Sequence, residues 1–334
     1  MARVLEIPNQ DEIAQHFPAL MQELRAARRV LVSTHVNPDG DAIGSALAFS
    51  YFLDQHEIDH EVFTQDPPPY FLEFLPGVRK LHHAPKKGEF DLGVVLDLEA
   101  LHRMGSAYDL MSKCDRLVVI DHHIPAEAPG DLRIVCTKSP ATCSILFDLF
   151  EGNGEMITAD MAQCLLTGMI TDTGTFRFPN TDARALRAAA KLLEYGADLG
   201  RIVHEVYLNK ERPAFDLLAY ALAHAKTAGD GAIMWTELPY AIFEQHHAGD
   251  QHTEGIVNEL LSVQGVKIAA LLRETKGGRI KGSLRSIGDI DVAAVAREFG
   301  GGGHKNAAGV SMTTSITDAS SKLVASFEKC LASS

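Results

Sequence analysis

Between residues 29 and 135, short runs of β-branched and aliphatic residues alternate with stretches of helical periodicity. The runs are RVLVST, EVFTQ, DLGVVLD, RLVVID and LRIVC. Three of them, RVLVS, LGVVL and RLVVI, lack the polar alternation of a half-exposed strand and predict strands buried on both faces of a parallel sheet. Segments 41–55, 140–151, 159–170 and 182–195 predict helices, the last capped by Asp182. Strands and helices in alternation imply βαβ units, hence an α/β fold whose parallel sheet is covered by helices on both faces.

After Tyr195 the pattern changes. Residues 196–226 are mostly helical in period but interrupted by Gly196, Gly200 and Pro213, which predicts a connection between a first domain at 1–195 and a second at 227–334. The second stretch predicts a smaller α/β domain: strands at GAIMWTEL, KIAALLRET and RIKGSLRSI, and helices at TEGIVNELLSV and IDVAAVAREF. Gly277-Gly278 predicts a two-residue type I′ hairpin turn. That register sets Arg273 opposite Gly282 and Ala270 opposite Arg285, with the two arginines on opposite faces.

Composition sets the class. A chain of 334 residues exceeds one ordinary core, in keeping with two domains. With 46% hydrophobic and 22% charged residues, and no long apolar stretch, it reads as a folded protein without a membrane span. The start, MARVLEIPNQDEIAQHF, lacks the features of a secretory signal, so a cytoplasmic location is expected. Five cysteines without C-x-x-C spacing are expected to be reduced thiols. The net charge of −13 argues against a broad footprint on long duplex DNA, while leaving room for a small anionic substrate held at a metal site.

Candidate chemistry collects where the apolar strands stop. RVLVS runs into THVNPDGDAIGS, which carries His35, Asp39 and Asp41; LGVVL stops at Asp97; RLVVI stops at Asp121, His122 and His123. Asn-Pro and Asp-Gly alone would mark an ordinary turn followed by a helix cap. One parallel sheet, however, brings all three strand ends to the edge where doubly wound sheets bind ligands. Carboxylates clustered there repel one another unless cations intervene. In TGMITDTGTFRF a helical run ends at Asp172 and adds a further carboxylate. Imidazole and carboxylate without thiolate favour Mn²⁺, Mg²⁺, Co²⁺ or Fe²⁺. Six ligands are too many for one open ion, and two divalent ions sharing a carboxylate suit displacement at phosphorus. The pairs His82-His83 and His246-His247 follow no such strand and are read as solvated or structural.

A second cluster is GGGHKNAAG, where Gly300 suffices to end the preceding helix. The further glycines, Gly302 and Gly303 among them, let backbone N–H groups face an anion, and His304 adds a side-chain donor. Arg285 and Arg273 could hold a phosphate, and Arg177, in TFRFPN, is a weaker candidate.

Taken in order, HVNPDGDAIGS, VVLD, VVIDHH and GGGHKNAAG resemble the DHH phosphoesterases that carry a DHHA1 domain, and in length the chain is most similar to their NrnA-type nanoRNA and pAp phosphatases. The resemblance implies that His35 and Asp39 bind one metal ion, that Asp41, His122 and Asp172 bind another, and that Asp97 bridges them, with manganese expected. It implies that His123 faces the substrate phosphate and that Asp121 orients an imidazole, so Asp97, Asp121 and His123 are the expected catalytic residues. Gly302, Gly303 and His304 are implied to contact substrate, and the family pattern favours Arg285 over Arg273, which is then expected to be a surface ion-pair residue. The implied activity is hydrolysis of short oligoribonucleotides such as pGpG and pApA, and of pAp to AMP and phosphate, by a homodimer. Cyclic di-AMP hydrolysis is the competing activity. Family II pyrophosphatases resemble only the first domain, RecJ nucleases are longer, and a non-catalytic sensor would be expected to miss a metal ligand.

Overall fold

The computed structural model describes residues 9–83, 89–98, 100–124 and 130–332. The chain forms two compact units, Met1–Asn209 and Lys210–Ser334.

In the first unit six strands form one parallel sheet: β1 (Val30–Ser33), β2 (His60–Phe63), β3 (Leu81–His82), β4 (Leu92–Leu96), β5 (Arg116–Asp121) and β6 (Leu132–Val135), in the order β3-β2-β1-β4-β5-β6. The helices are α1 (Phe17–Ala26), α2 (Gly40–Gln55), α3 (Tyr108–Met111), α4 (Thr142–Glu151), α5 (Ala159–Asp172), α6 (Ala183–Glu194) and α7 (Leu199–Val203). Alternate strand residues feed two cores. Val30, Val32, Val94, Leu96 and Ile120 pack with the apolar sides of α2, α4 and α5, while Leu31, Val95, Val119 and Val135 pack with Met104 and Met111 on the other face. Burying each such side chain stabilises by about 1.5–3 kcal/mol, which is why the continuously apolar runs became central strands. The strand order reverses direction between β1 and β4, so the carboxyl ends of these two neighbours flank the switch point at which doubly wound sheets bind ligands.

The stretch expected to connect two domains is divided between the units. Ile202 and Val206 belong to the first unit's core, whereas Leu217 and Ala221, on α8 (Arg212–Ala223), pack into the second.

The second unit contains β7 (Lys226–Ala228), β8 (Ile233–Leu238), β9 (Ile268–Glu274), β10 (Ile280–Ser286), β11 (Gly302–His304) and β12 (Ala307–Met312). They form a mixed sheet in the order β11-β12-β10-β9-β8-β7. Helices α9 (Tyr240–Gln245) and α10 (Ile256–Leu261), with α8, cover one face; α11 (Val292–Glu298) and α12 (Ile316–Ala332) cover the other.

The β9–β10 hairpin corrects the sequence reading. Its loop is one residue longer than a two-residue turn: the Thr275 N–H donates to the Arg279 carbonyl at 2.8 Å, and of the two glycines only Gly278 takes left-handed backbone, with φ of 72°. A three-residue loop with glycine in the left-handed position is the next most favoured hairpin connection. The register therefore shifts by one. Arg273 lies opposite Lys281, and Arg285 opposite Ala269. Side chains repeat every two residues along a strand, so this places Arg273 and Arg285 on the same face, not on opposite ones.

Candidate active site and metal centre

Each residue of the first cluster reaches the sheet edge by a simple local route. His35 lies two residues beyond β1, in a loop that ends where Asp39 caps α2 by accepting from the Asp41 and Ala42 amides at 3.1 and 3.0 Å. Asp97 follows β4 directly and has φ of 59°, a left-handed conformation that aspartate tolerates better than most residues. Asp121 is the last residue of β5, and Asp172 the last of α5.

These elements bring His35, Asp39 and Asp97 together, with one ligand-type atom from each within 4.8 Å of the others, and bring Asp41, His122 and Asp172 together to the same limit. The two groups meet at Asp97. Its Oδ2 lies 3.5 Å from His35 Nε2 and its Oδ1 lies 3.4 Å from His122 Nε2. His35 Nε2 is also 3.8 Å from Asp39 Oδ2, and His122 Nε2 is 3.2 Å from Asp172 Oδ2 and 3.9 Å from Asp41 Oδ2. Asp41 and Asp97 are buried to within 1% of full coverage.

A test of fit to cations lies in the histidine rings. His35 Nδ1 faces the Val36 carbonyl at 2.9 Å, and His122 Nδ1 faces the Ser139 carbonyl at 3.2 Å. Only Nδ1–H can satisfy a carbonyl, so in the neutral ring Nε2 turns a lone pair toward carboxylate oxygens. Lone pairs directed at lone pairs require a positive species between them, and a pair of divalent cations meets that requirement with a donor set of imidazole and carboxylate.

The acidities show the same conflict. Burial would lower the His35 imidazole, but Asp97 and Asp39 outweigh it and push it up to about 9. Burial likewise opposes protonation of His122, yet Asp172 and Asp97 hold its pKa well above the ordinary value. Burial, together with Asp97 and Asp172, raises the Asp41 carboxyl, and burial raises Asp172 to about 6. Asp97 moves the other way: burial is outweighed by hydrogen bonds from His122 and His35. Cys143, whose thiol donates to the Asp41 carbonyl oxygen at 3.8 Å, is driven well up by burial and by Asp41, so it stays a thiol beside the carboxylates.

Asp121 engages His123 rather than His122. Its Oδ1 accepts from the His123 amide at 3.1 Å and lies 2.8 Å from His123 Nδ1. His123 Nδ1 is also 3.4 Å from Asp97 Oδ1. Arg177 is exposed, beyond the end of α5, with its Nε donating to the Gly174 carbonyl at 2.7 Å.

The sequence reading missed the start of α4. Thr142 N–H donates to Asp41 Oδ2 at 2.6 Å, Cys143 N–H donates to Asp41 Oδ1 at 2.9 Å, and Thr142 Oγ1 donates to Asp97 Oδ1 at 3.1 Å. The predicted helix at 140–151 contains Thr142 near its start, but no local pattern tied it to the strand ends.

In the second unit, cross-strand register forms two rows on one sheet face: Arg285–Ala307–His304 and Ser283–Gly309–Gly302. Backbone positions 285, 302 and 304 thus share a face; the His304 side chain lies outside the described residues. Gly303 is required by packing, with φ of 134° and space for a Cβ closed by the Ala307 carbonyl at 2.4 Å, whereas a Cβ at Gly302 would meet nothing within 4 Å. Arg285 Nη1 donates to the Leu284 carbonyl at 3.0 Å. Arg273 donates from Nη1 to Thr253 Oγ1 at 2.8 Å, and its Nε lies 3.9 Å from Asp250, which Lys281 also engages at 2.9 Å.

Comparison with known proteins agrees along both units. The model of the DHH family, N-terminal domain, matches residues 29–169, and that of the DHHA1 domain matches residues 237–333. The bifunctional oligoribonuclease and PAP phosphatase NrnA of Thermus thermophilus is 32% identical over 286 residues, covering 85% of this chain and 84% of that protein. The cyclic-di-AMP phosphodiesterase PdeA of Listeria monocytogenes is 26% identical; the match covers 93% of this chain but only 49% of that longer protein. Among solved structures, an exopolyphosphatase-related protein from Bacteroides fragilis superposes with a TM-score of 0.87 at 28% identity, covering 99% of this chain and 98% of that one.

Proposed function

The chain belongs to the DHH family, and from that premise we infer that it is a two-metal phosphoesterase that hydrolyses short oligoribonucleotides, such as pGpG and pApA, to mononucleotides, and pAp to AMP and phosphate. One observation carries this reading: the two oxygens of the buried Asp97 face two different groups of imidazole and carboxylate. His35, Asp39 and Asp97 would hold one divalent cation, and Asp41, His122 and Asp172 the other, with Asp97 shared. The donor set suits Mn²⁺, Mg²⁺, Co²⁺ or Fe²⁺, and the family resemblance favours Mn²⁺. Such a pair, when bound, supplies Lewis acidity to the phosphoryl group and lowers the pKa of water.

The chain's own residues do the rest. Asp121 fixes the His123 ring through Nδ1, which leaves Nε2 as a donor to a phosphate oxygen. Burial and His122 oppose protonation of His123, but Asp121 and Asp97 outweigh them and raise its pKa, which favours the ring protonated on both nitrogens whose Nε2–H donates to an anion. Arg285, Gly302, Gly303 and His304 are the residues we assign to the nucleotide, with Arg177 as a lesser contributor. The support is the family resemblance and the shared sheet face of positions 285, 302 and 304. A homodimer acting in the cytoplasm completes the reading, and five free cysteines suit that reducing compartment. Among the described residues, no helix is long and apolar enough to cross a membrane.

The test is a panel: purified protein with Mn²⁺ and, separately, pAp, pGpG, pApA, cyclic di-AMP and pyrophosphate. Release of AMP from pAp and of mononucleotides from pGpG and pApA is expected, with slower or no turnover of the other two. Turnover of none would overturn the reading, and cyclic di-AMP hydrolysed fastest would replace the substrate assignment.

A further inference from the structure

The carboxylates Asp41 and Asp97 are joined by a residue that belongs to neither group of ligands. Thr142 is the first residue of α4 and is fully buried. Its amide donates to Asp41 Oδ2 at 2.6 Å and its hydroxyl donates to Asp97 Oδ1 at 3.1 Å. One residue therefore spans the carboxylate assigned to both ions and a carboxylate assigned to one. The second amide of α4, from Cys143, takes the other oxygen of Asp41 at 2.9 Å, so that carboxylate also occupies the positive end of a ten-residue helix. There is no slack around it: a Cβ at Gly168 would lie 2.7 Å from Asp41 Oδ1 and 2.4 Å from Cys143 Sγ.

We propose that Thr142 is the positioning residue of the metal centre, setting through its hydroxyl and amide the separation and orientation of Asp97 and Asp41 and thereby the affinity for the second cation. The proposal rests on the two-metal reading. A hydroxyl donated to Asp97 Oδ1 leaves the remaining lone pairs of that carboxylate directed to the two groups, and loss of the hydroxyl frees the shared carboxylate to rotate about its last side-chain bond. Residues in this kind of role typically change metal affinity by about 10–100-fold when altered.

The experiment uses the full chain as wild type, Thr142→Val, Thr142→Ser and Thr142→Ala. Calorimetry measures Mn²⁺ stoichiometry and affinity, electron paramagnetic resonance reads the coupled Mn²⁺ pair, and melting of the metal-free proteins reports the fold. Valine keeps the shape and the amide while removing the hydroxyl. Expected are two Mn²⁺ in the wild type, one of them bound about 10–100-fold more weakly in Thr142→Val with loss of the coupled signal. Recovery in Thr142→Ser and an unchanged metal-free melting temperature are also expected. Thr142→Val binding two ions as tightly as wild type would overturn the proposal, as would a serine variant no better than valine. A loss of affinity matched by a fall in metal-free melting would assign Thr142 to helix α4 alone, and would overturn it too. Should valine prevent folding, the alanine and serine variants make the same comparison. A wild type that binds no Mn²⁺ would instead remove the metal centre itself, a failure readily told apart from the others.

Discussion

The two sheets of this protein treat charge in opposite ways. At the carboxyl edge of the first sheet, Asp41, Asp97, Asp121 and His122 are each at most 5% exposed, and every one is held by at least one neighbour. Around Arg285, the face of the second sheet is built from Ser283, Ala307, Gly309 and Gly302, where a Cβ at Gly302 would meet nothing within 4 Å, and the charges on it are cations, Arg285 with Arg273 and Lys281. A buried cluster of like charges is a high-energy arrangement that only cations or protons relieve, so it specifies chemistry. A patch of small residues allows backbone to approach a ligand closely, so it suits recognition.

Substitutions can break this contrast, and the largest effect should come from the first sheet. Asp97→Ala removes the carboxylate between the two groups, and its turnover of pAp should fall more than about 100-fold, beyond the usual loss for an outer partner of a ligand. Circular dichroism should stay unchanged; full activity would dissolve the bridging assignment. Next comes Arg285→Ala, which should raise KM for pGpG about tenfold or more, because a hydrogen bond to a charged group is worth about 1.5–3 kcal/mol. A fall in kcat with KM unmoved would shift Arg285 from recognition to chemistry.

The glycines give a finer division. Gly303→Ala forces a Cβ against the Ala307 carbonyl at positive φ, and should cost about 1–3 kcal/mol in thermal unfolding. Gly302→Ala meets open space and should melt like wild type, so any change it causes in KM reports on substrate. At the bottom of the scale, His82→Ala should leave turnover unaltered. His82 ends an edge strand of the first sheet, away from the residues gathered at Asp97, and an effect on kcat would mean that the site extends further than the two groups described.

Legibility followed the same divide. In the first unit, continuous apolar runs identified the central strands, and the expected helices at 41–55, 140–151, 159–170 and 182–195 match α2, α4, α5 and α6 closely. Burial on both faces leaves a strong and simple signal. In the second unit β11 and β12 escaped notice because Gly302–His304 and Ala307–Met312 carry few of the branched residues that mark strands, and their glycines read as a loop. The hairpin register failed by one residue because Gly277-Gly278 fits two turn types equally well by composition. A side-chain bond from Thr275 Oγ1, which accepts the Arg279 amide at 3.2 Å, accompanies the longer loop that formed.

By itself, then, the sequence determined the ligand types, their delivery to strand ends and the order of elements, since those depend on local patterns and on the rule that parallel strands point one way. Tertiary structure alone decided which atoms face which. The Asp97 oxygens face His35 on one side and His122 on the other from a residue with left-handed backbone, Asp121 selects His123, and the arginines share a face through a one-residue shift. Thr142 reaches Asp97 across 45 positions and Asp41 across 101. Contacts between residues so far apart leave no periodicity in either segment, because the only thing that relates them is the packing of α4 against the edge of the sheet.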